Sequence, residues 1–122
     1  MMAIGNTPLV KLNRLAGPDD ADVYVKWEGA NPTGSMKDRM ALSMIEGAER
    51  RGALKPSGRV VEYTGGSTGS SLAMVCAMRG YAARFVSSNG FSEEKLKTMR
   101  AFGAEVEIIP AEGGVLTAMV ID

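Results

Sequence analysis

Lys37 stands in the stretch "NPTGSMKDR" (31–39), directly behind a cluster of turn formers and directly in front of a helical pattern. The positive end of a helix dipole disfavours an ammonium, so an amine placed there gives up its proton more readily than an exposed lysine. A neutral amine is a nucleophile, suited to forming a Schiff base with a carbonyl compound. The residues alone leave a second reading open, a solvated loop lysine paired with Asp38 or Glu28. The other stretch with chemical potential is "TGGSTGSS" (64–71), where glycines, hydroxyl side chains and free amides precede a second helical pattern. Backbone N–H groups at a helix start attract anions.

The same residues rule out several alternatives. Gly29 and Gly34 have the spacing of a Walker loop, but Ser35 stands where its lysine must be, and "GGSTG" lacks the glycine spacing of a dinucleotide fingerprint. With no histidine and a single cysteine, Cys76, the chain can build neither a Cys/His metal site nor a Ser/His or Cys/His catalytic pair, and no metal is expected. Cys76 lies in an apolar helical run and reads as a small core side chain. Fourteen Lys and Arg balance fourteen Asp and Glu without a basic cluster, which argues against a nucleic-acid partner. The longest apolar run, 72–78, is too short for a membrane span, and the first ten residues lack a signal-peptide pattern. A cytoplasmic setting without membrane partners is the expectation.

The elements that must position these loops follow from periodicity. "DVYVKWE" (22–28), "RVVEYT" (59–64), "ARFVSS" (83–88) and "EVEIIP" (105–110) read as four strands. Met36, Met40, Met44, Ile45 and Ala48 form one apolar stripe of a helix ending near Gly52. A second helix over 68–79 is apolar nearly all round and stops at Gly80; a third starts after Ser92 and stops at Gly103. This alternation predicts an α/β fold of three layers, an open parallel sheet of about four strands flanked by helices. In such sheets ligands bind at the carboxyl ends of the strands, where both loops fall. "TPLVKL" (7–12) reads as a further strand, and "VLTAMVID" (115–122) as the start of another element.

Four segments, "IGNTPLVKLNRL", "NPTGSMKDRMALSMIEGAE", "TGGSTGSSLA" and "KLKTMRAFGAEVEIIP", together resemble the cysteine synthase and cystathionine β-synthase family of fold-type II pyridoxal phosphate enzymes, in the family's order and spacing. The resemblance implies that Lys37, in a Ser-x-Lys-Asp-Arg pattern, forms the Schiff base with pyridoxal 5'-phosphate and later moves the substrate's α-proton. It implies that Thr64, Gly65, Gly66, Ser67 and Thr68 receive the carboxylate of an amino-acid substrate, with Ser67 also at the cofactor. The activity implied is β-elimination and β-replacement on an O-activated serine-type amino acid, the cysteine synthase reaction.

The loop departs from the commonest family form, Thr-Ser-Gly-Asn-Thr-Gly, in having Gly65 for the serine and Ser67 for the asparagine. Members of the family run to more than twice this length, and their phosphate-cradling loop lies in the second half. Residues 1–122 are therefore expected to form one α/β domain, the N-terminal part of a longer two-domain enzyme, with 1–15 belonging to the second domain. A serine or threonine dehydratase is the nearest alternative. From another class comes a non-catalytic, truncated or split module that binds an anion, or a homodimer associating through the N-terminal strand, whose edge is expected to be unpaired.

Overall fold

The computed structural model describes residues 3–111. Its elements are β1 (Leu9–Lys11), β2 (Tyr24–Lys26), a short 3-10 turn (Glu28–Ala30), α1 (Lys37–Arg50), β3 (Arg59–Tyr63), α2 (Ser67–Arg79), β4 (Ala82–Ser88), α3 (Glu93–Ala101) and β5 (Glu105–Ile109). The segment 115–122, read above as a further element, lies outside the described residues.

Three strands form the parallel sheet, in the order β3-β4-β5, with Val60 opposite Ala83 and Phe85 opposite Val106. Helices separate these strands in sequence, as parallel crossovers require. The fold is therefore α/β with a parallel sheet and helices packed on it, as the periodicity predicts. Burial alternates along the strands: Ala83, Phe85 and Ser87 of β4 are buried, while Arg84 between them is exposed and pairs with Glu107 of β5. Val60, Val106 and Ile108 point the same way as Phe85, into a core built with Leu72, Val75 and Cys76 of α2, Ala41 and Ile45 of α1, and Leu96 and Met99 of α3. Among the described residues the helices cover that one face, giving two layers where three are expected; on the other, Val61 is 61% exposed.

The fourth expected strand, 22–28, does not join this sheet. Its central residues form β2, which pairs antiparallel with β1 in a separate two-stranded ribbon, Val10 opposite Val25. Alternation in "DVYVKWE" marks an extended segment but carries no information about its partner. The same pairing corrects the expectation that the strand within 7–12 lacks a partner. Every residue of β1 and β2 is exposed, so neither face of the ribbon is packed within the described chain.

The helices match their patterns. α2 is buried over Gly69–Cys76, as expected of a helix apolar nearly all round. Burial also pushes the Cys76 thiol up to about 11, which keeps it protonated and inert. The chain leaves α1, α2 and α3 through Gly52, Gly80 and Gly103, each with positive φ. No helix among the described residues is long and apolar enough to cross a membrane.

Candidate functional site

Helices α1 and α2 lie side by side and run the same way. At their starts Ser71 Oγ donates to Asp38 Oδ1 at 2.6 Å; at their ends Arg79 reaches Glu46 at 2.6 Å and Glu49 at 3.3 Å, and the Tyr81 hydroxyl donates to Glu49 at 2.8 Å. Both N-termini therefore sit at one end, following the loops 31–36 and 64–66. The structure thus brings together the two stretches that the sequence marks.

The lysine loop is built around Asp38. Its carboxylate is fully buried and accepts from the Thr33 N–H (2.8 Å), the Thr33 hydroxyl and the Ser71 hydroxyl. Gly34, at φ +73°, makes the left-handed turn that returns the chain from Thr33 to the helix. Ser35 Oγ then accepts the Lys37 N–H at 3.1 Å, satisfying one amide of the first turn. Lys37 is the first residue of α1 and half-buried.

Neither carboxylate proposed as a bland partner for Lys37 is available to it. Asp38 is engaged as above, and Glu28 is held by Arg39 through two contacts, Nε to Oε2 at 2.8 Å and Nη2 to Oε1 at 3.0 Å. Among the described residues Lys37 has no ion pair.

Glu28 anchors the N-terminal segment to the same loop. It also accepts from the Thr7 hydroxyl (2.7 Å) and Asn31 Nδ2 (2.9 Å), while Asn31 Oδ1 accepts the Gly5 N–H. The Arg39 guanidinium, then the Thr7 hydroxyl, hold the Glu28 carboxyl down at about 2, against an ordinary 4.5. A carboxyl lowered on folding adds stability that is complete above pH 4.5 and is lost as pH falls towards 2. Thermal unfolding midpoints measured from pH 5 to pH 2 should fall across that window, and Glu28→Gln should flatten the fall. An unchanged slope in the variant would mean that this network is not what acid disrupts.

The second loop places Thr64 and Gly65 in the interior and Gly66, Ser67 and Thr68 at partial exposure. Thr64 N–H extends the sheet ladder to Val86 O at 2.9 Å. Gly66 is the N-cap of α2 in an extended conformation, and no side chain caps the helix, so its first-turn amides are left open. The hydroxyls of Ser70 and Ser87 are buried without a partner among the described residues. Sequence reading did not single out Asp38, Ser71, Thr33 or Glu28 for their polar network. A charged residue in "KDR" reads as solvated, and only Thr33, five positions earlier, hinted at a local acceptor.

The model for "Pyridoxal-phosphate dependent enzyme" matches residues 1–120. The chain belongs to that family. It is 49% identical over 111 residues to cysteine synthase B of Salmonella typhimurium, a match spanning 91% of this chain and 37% of that protein. It is 50% identical over 107 residues to a cysteine synthase of Staphylococcus aureus, covering 88% of this chain and 34% of that one. Among solved structures it is similar to O-ureido-L-serine synthase, with TM-score 0.84, 44% identity, and coverage of 98% of this chain and 38% of that chain. A hydrogen sulfide-producing enzyme from Fusobacterium nucleatum gives TM-score 0.83 at 44% identity, covering 90% and 36%. The chain spans little more than a third of the length of these relatives.

The residues present fit the cofactor that the family uses. Lys37, without an ion pair among the described residues, opens α1 at the same end as a glycine loop, where Gly66 has nothing within 4 Å of the position a Cβ would take. The uncapped first-turn amides of α2 supply further donors at that end.

Proposed function

We propose that this chain supplies the Schiff-base lysine and the substrate-carboxylate loop of a pyridoxal phosphate-dependent β-replacement enzyme acting on an O-activated serine-type amino acid. What supports this reading is the Asp38–Ser71 hydrogen bond, which ties the start of α1 to α2, so that the backbone bearing Lys37 and the uncapped first turn of α2 lie at the same end of the two helices. When bound, pyridoxal phosphate supplies an electron sink for the bond broken at the amino acid's α-carbon.

The chain's own residues do the rest. Lys37 holds the cofactor through its amine and carries a proton from and to the substrate's α-carbon. The amides at the start of α2, with the hydroxyls of Thr64, Ser67 and Thr68, bind the carboxylate and fix its direction; Ser67 also contacts the cofactor. The C3 leaving group departs with its bonding electrons, and a thiol or sulfide takes its place. Neutral hydroxyls and amides suit this task because they grip an anion without adding a cation that would compete for it.

Incubating the chain with pyridoxal phosphate, reducing with borohydride and mapping peptides by mass spectrometry tests the reading. The expected label is on Lys37. Label spread evenly over the surface lysines removes it.

The ribbon favours a second role alongside the first. Leu9, Val10, Tyr24 and Val25 are all exposed large side chains on two strands that cover no core. A two-stranded ribbon alone is marginal in water. These residues form the seam with the remainder of the two-domain enzyme, to which 1–15 belongs, and in its absence they pair two copies of this chain. Light scattering should give twice the chain mass; a strict monomer counts against pairing.

A further inference from the structure

Gly65 and Gly66 are adjacent glycines with opposite surroundings. A Cβ on Gly65 would sit 1.8 Å from two atoms of the Phe91 ring, Cγ and Cδ2, far inside any possible contact. A Cβ on Gly66 would meet nothing within 4 Å. Neither glycine has a positive φ, so backbone strain explains neither. Gly65 is glycine because an aromatic ring from another loop fills its side-chain position; Gly66 leaves an open face at the N-terminus of α2.

Phe91 is held in that position from behind. It lies on the turn between β4 and α3, where its N–H donates to Ser88 O at 3.1 Å and the Gly90 N–H donates to Ser88 Oγ at 3.1 Å, with Ser88 itself buried. Its ring meets Tyr63 edge to face, centroids 6.3 Å apart at 61°. Tyr63 ends β3 just before the loop, so one ring braces the loop at its root and at Gly65.

We propose that Phe91 is a positioning residue of the carboxylate loop: its ring backs Gly65 on one side and thereby turns the Gly66 face and the first-turn amides of α2 toward the ligand. The loop then meets a carboxylate with backbone donors, where a side chain at 65 would otherwise intrude. This rests on the assignment of residues 64–68 to substrate binding. Interiors this tightly filled do not accept an added methyl without displacing something.

Four variants separate the two faces: Gly65→Ala, Phe91→Ala, the double substitution, and Gly66→Ala. Thermal unfolding reports packing, and amide NMR titration of the chain with L-serine reports ligand contact. Gly65→Ala should lower the midpoint by about 5 °C or more, and the double variant should recover at least half of that loss. Gly66→Ala should melt within about 2 °C of the parent, since its site is open, yet bind L-serine several-fold more weakly. Phe91→Ala should also weaken the serine-induced shifts of the 66–68 amides several-fold while remaining folded.

Strictly additive midpoints for Gly65→Ala and Phe91→Ala, or unchanged serine titration in Phe91→Ala, would overturn the proposal while leaving a borohydride-trapped label on Lys37 untouched. Serine moving no amide at 66–68 in the parent chain would instead remove the carboxylate assignment, and the role of Phe91 with it.

Discussion

Replacing Asp38 by alanine is expected to lower the unfolding free energy by about 2–4 kcal/mol, the largest stability effect of any single substitution in the lysine loop. The carboxylate is fully buried and accepts from the Thr33 amide, the Thr33 hydroxyl and the Ser71 hydroxyl. Truncation removes the acceptor of the Thr33 amide, leaves the Thr33 and Ser71 hydroxyls only each other at 3.3 Å, and opens a void between the helix starts. Asparagine keeps the shape and one acceptor oxygen, and a hydroxyl can rotate to accept from its amide. Asp38→Asn should therefore cost about half as much. Urea titration of the three proteins, with m-values compared, measures this directly. A loss under about 0.5 kcal/mol for the alanine variant would show that the loop is held by something else.

The second large effect is chemical. Lys37→Ala should reduce the borohydride-trapped pyridoxyl label on the whole chain at least tenfold, leaving Lys11, Lys26, Lys55, Lys95 and Lys97 with little of it. Stability should change by less than about 0.5 kcal/mol, since Lys37 forms no ion pair among the described residues and is only half-buried. Arginine at the same position keeps the charge and cannot form the imine, so Lys37→Arg should lose the label equally. Undiminished total labelling of the chain in either variant would place the reactive amine elsewhere. Combining the measurements is informative: Asp38→Asn should keep the label if the loop still sets the lysine, whereas Asp38→Ala should diminish it.

The helices and the sheet strands were legible because each rests on local chemistry. Periodicity marked α1, the all-round apolar run marked α2, Ser92 marked the start of α3, and Gly52, Gly80 and Gly103 marked the exits. Of the two loops, both expected at the carboxyl ends of one sheet, only the second sits there: the lysine loop follows β2 of the separate ribbon, and the α1–α2 pairing brings it to the same end. What failed was pairing. Tyr24, Val25 and Lys26 have the composition of a strand, but their partner is β1, and alternation cannot distinguish a core strand from an exposed ribbon. The burial of Asp38 was hidden because it depends on Ser71, thirty-three residues away. Gly65 looked like the loss of a hydroxyl until Phe91, from a different crossover, was seen to fill its place.

The ties at both ends of α1 and α2 carry one more implication. A cross-link at Asp38 and Ser71 near one end and at Glu46, Glu49 and Arg79 near the other resists sliding and rotation of the pair, even though exposed ion pairs such as those of Arg79 are individually weak. Under the proposed function, any opening or closing around a substrate would carry Lys37 and the loop 64–68 together, as one rigid jaw. The spacing between the starts of α1 and α2 then stays constant, and flexing is left to the turns that join this pair to its neighbours.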